Sequence, residues 1–323
     1  LGVSKLIVFE RSEFALYEIE REMRVAHPHL KLTCLMGDVC DRAALAHVFT
    51  VHQPQIVLHA AAYKHVPLVE GQIREGVRNN VLGTYWVASA AITAHCETMV
   101  LISTDKAVQP SSVMGATKRG AEVVCEALQP RSSTRFITVR FGNVLGSAGS
   151  VVPLFQQQIA RGGPVTVTHP EATRYFMTIP EASQLILLAG ASGQGGEIFV
   201  LEMGQPVNIK YLAEQMIHLS GHEPGGGIRI VFTGLRPGEK LREELFHTEE
   251  KLTATRHEKL HLAGHRQVEG VGVRVTLKRL VDACENFDEP ALGLLLRELV
   301  PEFNAPGDTE SPTTIVPFKR GVS

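Results

Sequence analysis

The sequence has no G-x-G-x-x-G turn at a strand end, no Tyr followed four residues later by Lys, no cysteine cluster and no long apolar run. Each absence excludes something. Its five cysteines (Cys34, Cys40, Cys96, Cys125, Cys284) are scattered. That spacing rules out a zinc finger or a disulfide framework and points to a reducing cytosol. Among fourteen His, only His27/His29 and His257/His261 have suggestive spacing, so no metal site is expected. No apolar stretch reaches the ~18 residues that span a bilayer, and no signal peptide is visible. A net charge of −2 gives no electrostatic reason to expect nucleic acid or an anionic membrane as partner. None of the five tyrosines (Tyr17, Tyr63, Tyr85, Tyr175, Tyr211) can be activated by a lysine one helical turn later.

What is present is a strand–helix alternation. Lys5–Phe9, Leu32–Met36, Ile56–His59, Met99–Ser103 and Phe136–Arg140 read as strands. Ser12–Ala26, Asp41–Val51, Glu70–Ala94 and Val113–Leu128 read as the helices between them, the second capped by Asp41. This order predicts an α/β fold, a Rossmann-like doubly wound parallel sheet. Such a fold opens on a strand and a Gly-rich turn that receives pyrophosphate at a helix N-terminus. Nothing of that kind precedes Lys5, and Gly225-Gly-Gly227 lacks the strand–turn–helix context. The first strand, Gly-rich loop and first helix are therefore expected to be missing, and the sequence as given is expected to bind cofactor poorly. Residues 1–150 form the dinucleotide-binding domain in this reading. Residues 151–304 form a smaller α/β substrate-binding lobe with C-terminal helices, using strands Val165–Thr168, Ile198–Leu201 and Ile228–Phe232 and helices Pro180–Ala191 and Ile209–Leu219. Residues 305–323, rich in Pro, Gly, Ser and Thr, are expected to be disordered.

The residues that can carry chemistry sit at strand ends. Glu10 follows the first strand, where an acid binds ribose hydroxyls and favours NAD; Arg11 beside it could accept the 2′-phosphate of NADP. Asp38 and Val39 form a turn that could hold the adenine edge. Ala60, Ala61 and Ala62 allow close approach of a cofactor, Lys64 projects charge over it, and Asn80 could fix the strand ends. Ser103, which could contact the cofactor, and Thr104 lead into Asp105 and Lys106, an acid and a base side by side. Elimination of water needs both, and Lys serves as base only where its pKa is lowered. Lys118 lies on the next helix, and Met114 stands one turn before it, where a Tyr would be needed to complete a phenol–ammonium pair. A strand leaving the sheet would present Asn143 and then a helix start at Val151, Val152 and Pro153. Arg174, Arg236 and Glu239 offer substrate contacts, Arg236 through a fork that grips a diphosphate.

Together, Phe9-Glu-Arg-Ser-Glu13, His59-Ala-Ala-Ala-Tyr-Lys-His-Val-Pro67, Asn80-Val-Leu-Gly-Thr84, Ser103-Thr-Asp-Lys-Ala107, Met114-Gly-Ala-Thr-Lys118, Arg140-Phe-Gly-Asn143 and Arg236-Pro-Gly-Glu-Lys240 resemble the nucleotide-sugar 4,6-dehydratases of polysaccharide biosynthesis. These are extended short-chain dehydrogenases. The closest likeness is to the UDP-N-acetylglucosamine 4,6-dehydratases in which Met replaces the catalytic Tyr. The resemblance covers roughly Val3 to Leu245, with a looser match near Leu294 to Phe303. It implies an NAD(P)-dependent lyase acting on a UDP-sugar. Carbon 4 is oxidised, Lys106 takes the carbon 5 proton, Asp105 protonates the carbon 6 hydroxyl as it leaves, and hydride returns to carbon 6. A thioether cannot accept the carbon 4 hydroxyl proton, so Thr104 and Asp105 are expected to shuttle it while Lys118 holds the nicotinamide ribose. The resemblance also implies full-length relatives with an N-terminal membrane region, at the cytoplasmic face of the inner membrane. Fold analogy makes helices 70–94 and 113–128 candidates for the interface of a homo-oligomer. A 4-epimerase or reductase on the same scaffold, and a non-catalytic nucleotide-sugar binding protein, are the competing readings.

Overall fold

The computed structural model describes residues 2–147, 149–223, 227–247, 250–264 and 270–305. The tail from Pro306 and two glycines of the 225–227 run lie outside them. The chain starts with β1 (Lys5–Glu10), α1 (Glu13–Ala26), β2 (Lys31–Met36), α2 (Arg42–His52) and β3 (Ile56–His59). Ser12 caps α1 and Asp41 caps α2, each side chain accepting from backbone N–H groups of the first turn. The long helix expected from Glu70 is divided. α3 (Val66–Glu70) is separate, and α4 (Ile73–Gly76) passes through a π-helical stretch, Val77–Leu82, into α5 (Gly83–Thr93). The wide turn buries Asn79 and Asn80 together, and Asn80 hydrogen-bonds outside its own helix.

β4 (Thr98–Ile102), α6 (Val113–Leu128), β5 (Arg135–Arg140), β6 (Asn143–Val144) and α7 (Val151–Ala160) follow, then β7 (Val165–Val167), β8 (Thr173–Arg174) and β9 (Phe176–Met177). The remainder is α8 (Ile179–Ser192), β10 (Ile198–Leu201), β11 (Val207–Asn208), α9 (Ile209–Leu219), β12 (Ile230–Phe232), β13 (Leu252–Ala254), β14 (Leu260–Ala263), α10 (Gly270–Glu285) and α11 (Glu289–Leu299).

The main sheet has six strands in the order β13-β14-β10-β5-β4-β3. β3, β4, β5 and β10 are parallel, and β14 and β13 run antiparallel to their neighbours. One face carries α2, α5 and α6; the other packs on α8. β1 and β2 form a separate parallel pair. The division falls between β1 and β3. Phe9 and Val57 still pack against the same core cluster. At this edge β3 is only partly buried: Ile56 and Leu58 are 62% and 50% exposed.

The boundary expected at residue 150 is crossed more than once. α7, β7, α9 and β12 build a small second core around Phe155, Val167 and Ile217. α8 and β10 return to the main sheet, and α10 and α11 pack on α6. α6 is buried from Val113 to Cys125, so the face that fold analogy offers to a second copy is covered by the chain's own C-terminal hairpin. Among the described residues, no helix is long and apolar enough to cross a membrane.

Candidate active site

The site is built where β4 ends. Ser103 and Thr104 leave the strand, and Asp105–Ala107 form one 3₁₀ turn in which the Lys106 N–H donates to the Thr104 hydroxyl. The Asp105 N–H donates to the Phe141 carbonyl at 3.0 Å, which ties the turn to the end of β5. Helix α6 crosses directly above. A Cβ on Gly115 would lie 2.3 Å from the Lys106 carbonyl oxygen, a backbone atom that cannot swing aside. Glycine here sets how closely helix and turn approach. Gly115→Ala is expected to cost about 1–3 kcal/mol by overpacking. A melting temperature equal to that of the parent chain would show instead that α6 can retreat.

The acid–base groups converge. Asp105 is fully buried, and its Oδ1 accepts from Thr104 Oγ1 at 2.8 Å and from Lys106 Nζ at 2.9 Å. Its Oδ2 has no hydrogen-bond partner. Lys106 Nζ also donates to Asn143 Oδ1 at 3.3 Å and lies 3.7 Å from Glu243 Oε1. Burial alone would lower the Lys106 pKa, but Asp105 and Glu243 outweigh it and the net shift is upward. In the free site Lys106 is therefore an ammonium clamped by two carboxylates. The condition set for it as a ready base, a lowered pKa, is not met there.

Met114 is buried in the cluster that includes Val69 and Val113. Lys118 donates to the Ile102 carbonyl at 2.6 Å, and burial brings its pKa down to about 8 although Glu122 and Cys125 oppose the shift. Ser103 departs from its expected place: its hydroxyl donates to the buried Glu122 at 2.6 Å, into the core rather than towards a ligand. Asn80 accepts from Tyr63 N–H at 2.8 Å and donates to the Tyr63 carbonyl and to Thr117, so it clamps the loop that carries Ala60, Ala61 and Ala62. His59 is held against Thr84, and burial lowers its pKa to about 3, which keeps it neutral.

At the other end of the cleft, Glu10 accepts from Ser12 N–H at 2.8 Å. Arg11 lies 3.6 Å from Asp38 and stacks 5.1 Å from the Tyr63 ring centre. Burial would raise the Asp38 pKa, but hydrogen bonds from Cys40 and the charges of Arg11 and Arg78 lower it. Arg11 is thus already engaged by a carboxylate, which weakens it as a 2′-phosphate site. Val39 packs in the core below.

A cavity of about 240 Å³ gathers Lys64, Lys106, Asn143, Arg174, Arg236 and Glu239. Arg174 donates to Glu239 at 2.9 Å and to the carbonyls of Thr173 and Leu241. Val151, Val152 and Pro153 open α7 and are half-buried, but they do not line this cavity. The cavity also includes His65, Lys240 and Glu243, none of which the sequence had marked individually. His65 and Lys240 lie inside the motifs that carry the resemblance. Glu243 follows three residues later among Arg242 and Glu244, and nothing in that charged run distinguishes it.

A mostly parallel sheet with a strand-end cleft, a buried acid–base cluster and a neighbouring cavity lined by Lys and Arg defines a Rossmann-type domain. The chain belongs to the family of polysaccharide biosynthesis proteins, whose model matches residues 1–265. It is similar to the capsular polysaccharide biosynthesis protein CapD of Staphylococcus aureus, 51% identical over 259 residues, or 80% of this chain and 43% of the relative. The chain thus spans less than half the length of that curated relative. It is also 35% identical to the UDP-glucose 4-epimerase of Rickettsia massiliae, over 78% of this chain and 72% of the relative. Among solved structures, DesIV of Streptomyces venezuelae, a dTDP-glucose 4,6-dehydratase solved with NAD bound, shares the fold with a TM-score of 0.68 at 22% identity, covering 76% of this chain and 80% of that one. The fold is that of the extended short-chain dehydrogenases.

Proposed function

We propose that this chain is the catalytic part of a nucleotide-sugar 4,6-dehydratase that uses NAD and converts UDP-N-acetylglucosamine to a UDP-4-keto-6-deoxy hexosamine for polysaccharide synthesis in the cytoplasm. The observation that carries this reading is the cluster of Thr104, Asp105 and Lys106 at the end of β4, with Met114 and Lys118 on the helix above. Membership of the polysaccharide biosynthesis family supports the setting.

The residues present fit two ends of a dinucleotide. Glu10, Asp38 and Tyr63 would hold adenosine; the small residues Ala60–Ala62 would admit the middle, and Lys118 the nicotinamide ribose. NAD held there would supply reversible hydride storage between carbon 4 and carbon 6. The protein moves the protons. The carbon 4 hydroxyl proton passes to Thr104 Oγ1 as the threonine proton passes to Asp105 Oδ1, along the 2.8 Å bond already formed. Protonated Asp105 no longer holds the Lys106 ammonium by charge, so Lys106 gives its extra proton to solvent more readily and reaches the amine form. Lys106 as amine takes the carbon 5 proton, acidified by the 4-ketone, while Asp105 gives its proton to the departing carbon 6 hydroxyl. Lys106 then returns its proton to carbon 5. One water is lost, and no net oxidation remains. Arg174, Arg236 and Lys64 hold the diphosphate and Glu239 the nucleoside side.

The test is mass spectrometry of UDP-N-acetylglucosamine after incubation with the complete protein and NAD. Loss of one water is expected. The likeness to the Rickettsia epimerase favours a second reading, 4-epimerisation. An unchanged mass with a new carbon 4 epimer would establish that reading and retire the dehydratase.

A further inference from the structure

Glu243 belongs to no strand or helix, yet its side chain is only 4% exposed and faces the reaction site. Its Oε1 is 3.7 Å from Lys106 Nζ, and its Oε2 is buried with no hydrogen-bond partner. A buried carboxylate oxygen without a partner is costly, and such costs persist where a site needs them. Arg174 does not account for the residue. That guanidinium donates to Glu239 and to two backbone carbonyls, and its Nε is farther from Glu243, at 4.0 Å. The nearest cation to Glu243 is Lys106.

The loop that carries Glu243 is fixed to the catalytic turn. Lys240 Nζ donates to the Val108 carbonyl at 2.9 Å, Ser111 Oγ donates to the Gly238 carbonyl at 3.2 Å, and Thr173 N–H donates to the Leu241 carbonyl at 3.1 Å. The second lobe is thereby pinned one residue beyond the turn of Asp105–Ala107.

We propose that Glu243 is a positioning residue for Lys106: it grips the ammonium from the substrate lobe, while Asp105 grips it from the sheet, and so sets the pH at which Lys106 becomes a base. The proposal rests on the dehydratase reading only for the purpose that Lys106 serves. The groups facing Glu243 are Lys106 and Asp105 from the catalytic turn, Arg174 from β8 and Lys240 from its own loop. Burial raises the Glu243 pKa, Asp105 adds to this, and the three cations oppose it; the net direction is up. Lys106 is also displaced upward, Asp105 and Glu243 together outweighing burial. Its amine form therefore appears only as pH climbs to that raised value, and deleting the Glu243 charge brings the value down.

The experiment reads Lys106 directly. The complete protein and its Glu243→Gln and Glu243→Asp variants are acetylated with trace acetic anhydride across a pH series, and peptide mass spectrometry gives the reactivity midpoint of Lys106. Glu243→Gln is expected to move the midpoint to lower pH by about one unit or more, in line with the loss of a nearby opposite charge. Glu243→Asp, which keeps the charge, should stay nearer the parent. The alkaline-rising limb of kcat for water loss should move by the same amount in Glu243→Gln. An unmoved midpoint, an equal movement in both variants, or a parent midpoint at or below that of an ordinary lysine would overturn the proposal. A uniform fall in kcat with the limb fixed would reduce Glu243 to a structural carboxylate. A parent protein that removes no water at any pH would sink the dehydratase reading, and the labelling would still decide this one.

Discussion

Asp105→Asn is expected to lower kcat for water loss about a thousandfold, with substrate affinity little changed. The substitution is isosteric, and the residue is fully buried, so the cavity wall keeps its shape. What changes is proton capacity. Asp105 Oδ1 receives the hydrogen bonds of Thr104 and Lys106, and in the proposed cycle the same carboxylate first takes the carbon 4 hydroxyl proton and later releases it to the leaving hydroxyl. An amide can do neither. General acid–base groups each contribute about 10²–10⁴ in rate, and here one residue serves two steps. Met114 cannot substitute, because a thioether does not accept that proton at neutral pH. The measurement is steady-state kinetics with mass detection, reading kcat and KM separately. Normal turnover in the variant would move the proton relay away from Asp105. A raised KM with kcat intact would make the residue a binding group only.

Much of this site was legible because strand ends carry it. Periodicity placed β4 and α6 within a residue or two, and in this fold the residues just after a parallel strand face the cleft. That rule gathers Thr104, Asp105, Lys106 and Lys118 at one strand end from the sequence. Ser103 fell on the wrong side because residues along a strand alternate faces. One residue before Thr104, its hydroxyl meets Glu122 in the core. Glu243 was not legible. It lies in irregular chain that no periodicity describes, and only the return of the second lobe onto the catalytic turn brings it to Lys106. The broken helix of Ile73–Thr93 was hidden for a related reason. Its apolar pattern is continuous, and the π turn answers a tertiary demand, the reach of Asn80 to Tyr63 and Thr117. The charge of Lys106 was missed as well, because adjacency in sequence says nothing of a second carboxylate arriving from elsewhere.

Glu122→Gln is expected to destabilise the fold by about 3 kcal/mol, the scale of breaking a buried ion pair on one side. Glu122 is fully buried on α6. It receives Arg140 at 2.6 and 2.8 Å, Arg119 at 3.0 Å and the Ser103 hydroxyl at 2.6 Å. Arg140, itself fully buried on β5, reaches on to Glu250, and Arg119 to Glu126 and to Glu302 beyond α11. One carboxylate thus joins the sheet, α6 and the C-terminal segment. An amide in its place turns an N–H pair towards guanidinium donors and leaves buried positive charge uncompensated. Thermal unfolding should fall by roughly 4–5 °C for a chain of this length. The same network fixes the acid limit of the protein. Burial alone would raise the Glu122 pKa, but Arg140, Arg119 and Ser103 overcome it and hold the carboxyl at about 2. A carboxylate in the unfolded chain titrates near ~4.3. The stabilisation is therefore fully present above that value and is lost as pH falls towards about 2. Stability of the parent should drop across this window, and that of Glu122→Gln should drop less, so the two curves converge in acid. Curves that stay parallel from neutral pH to the acid limit would mean that the charge of Glu122 does not stabilise the fold, and that Arg140 is held by Glu250 and by packing alone.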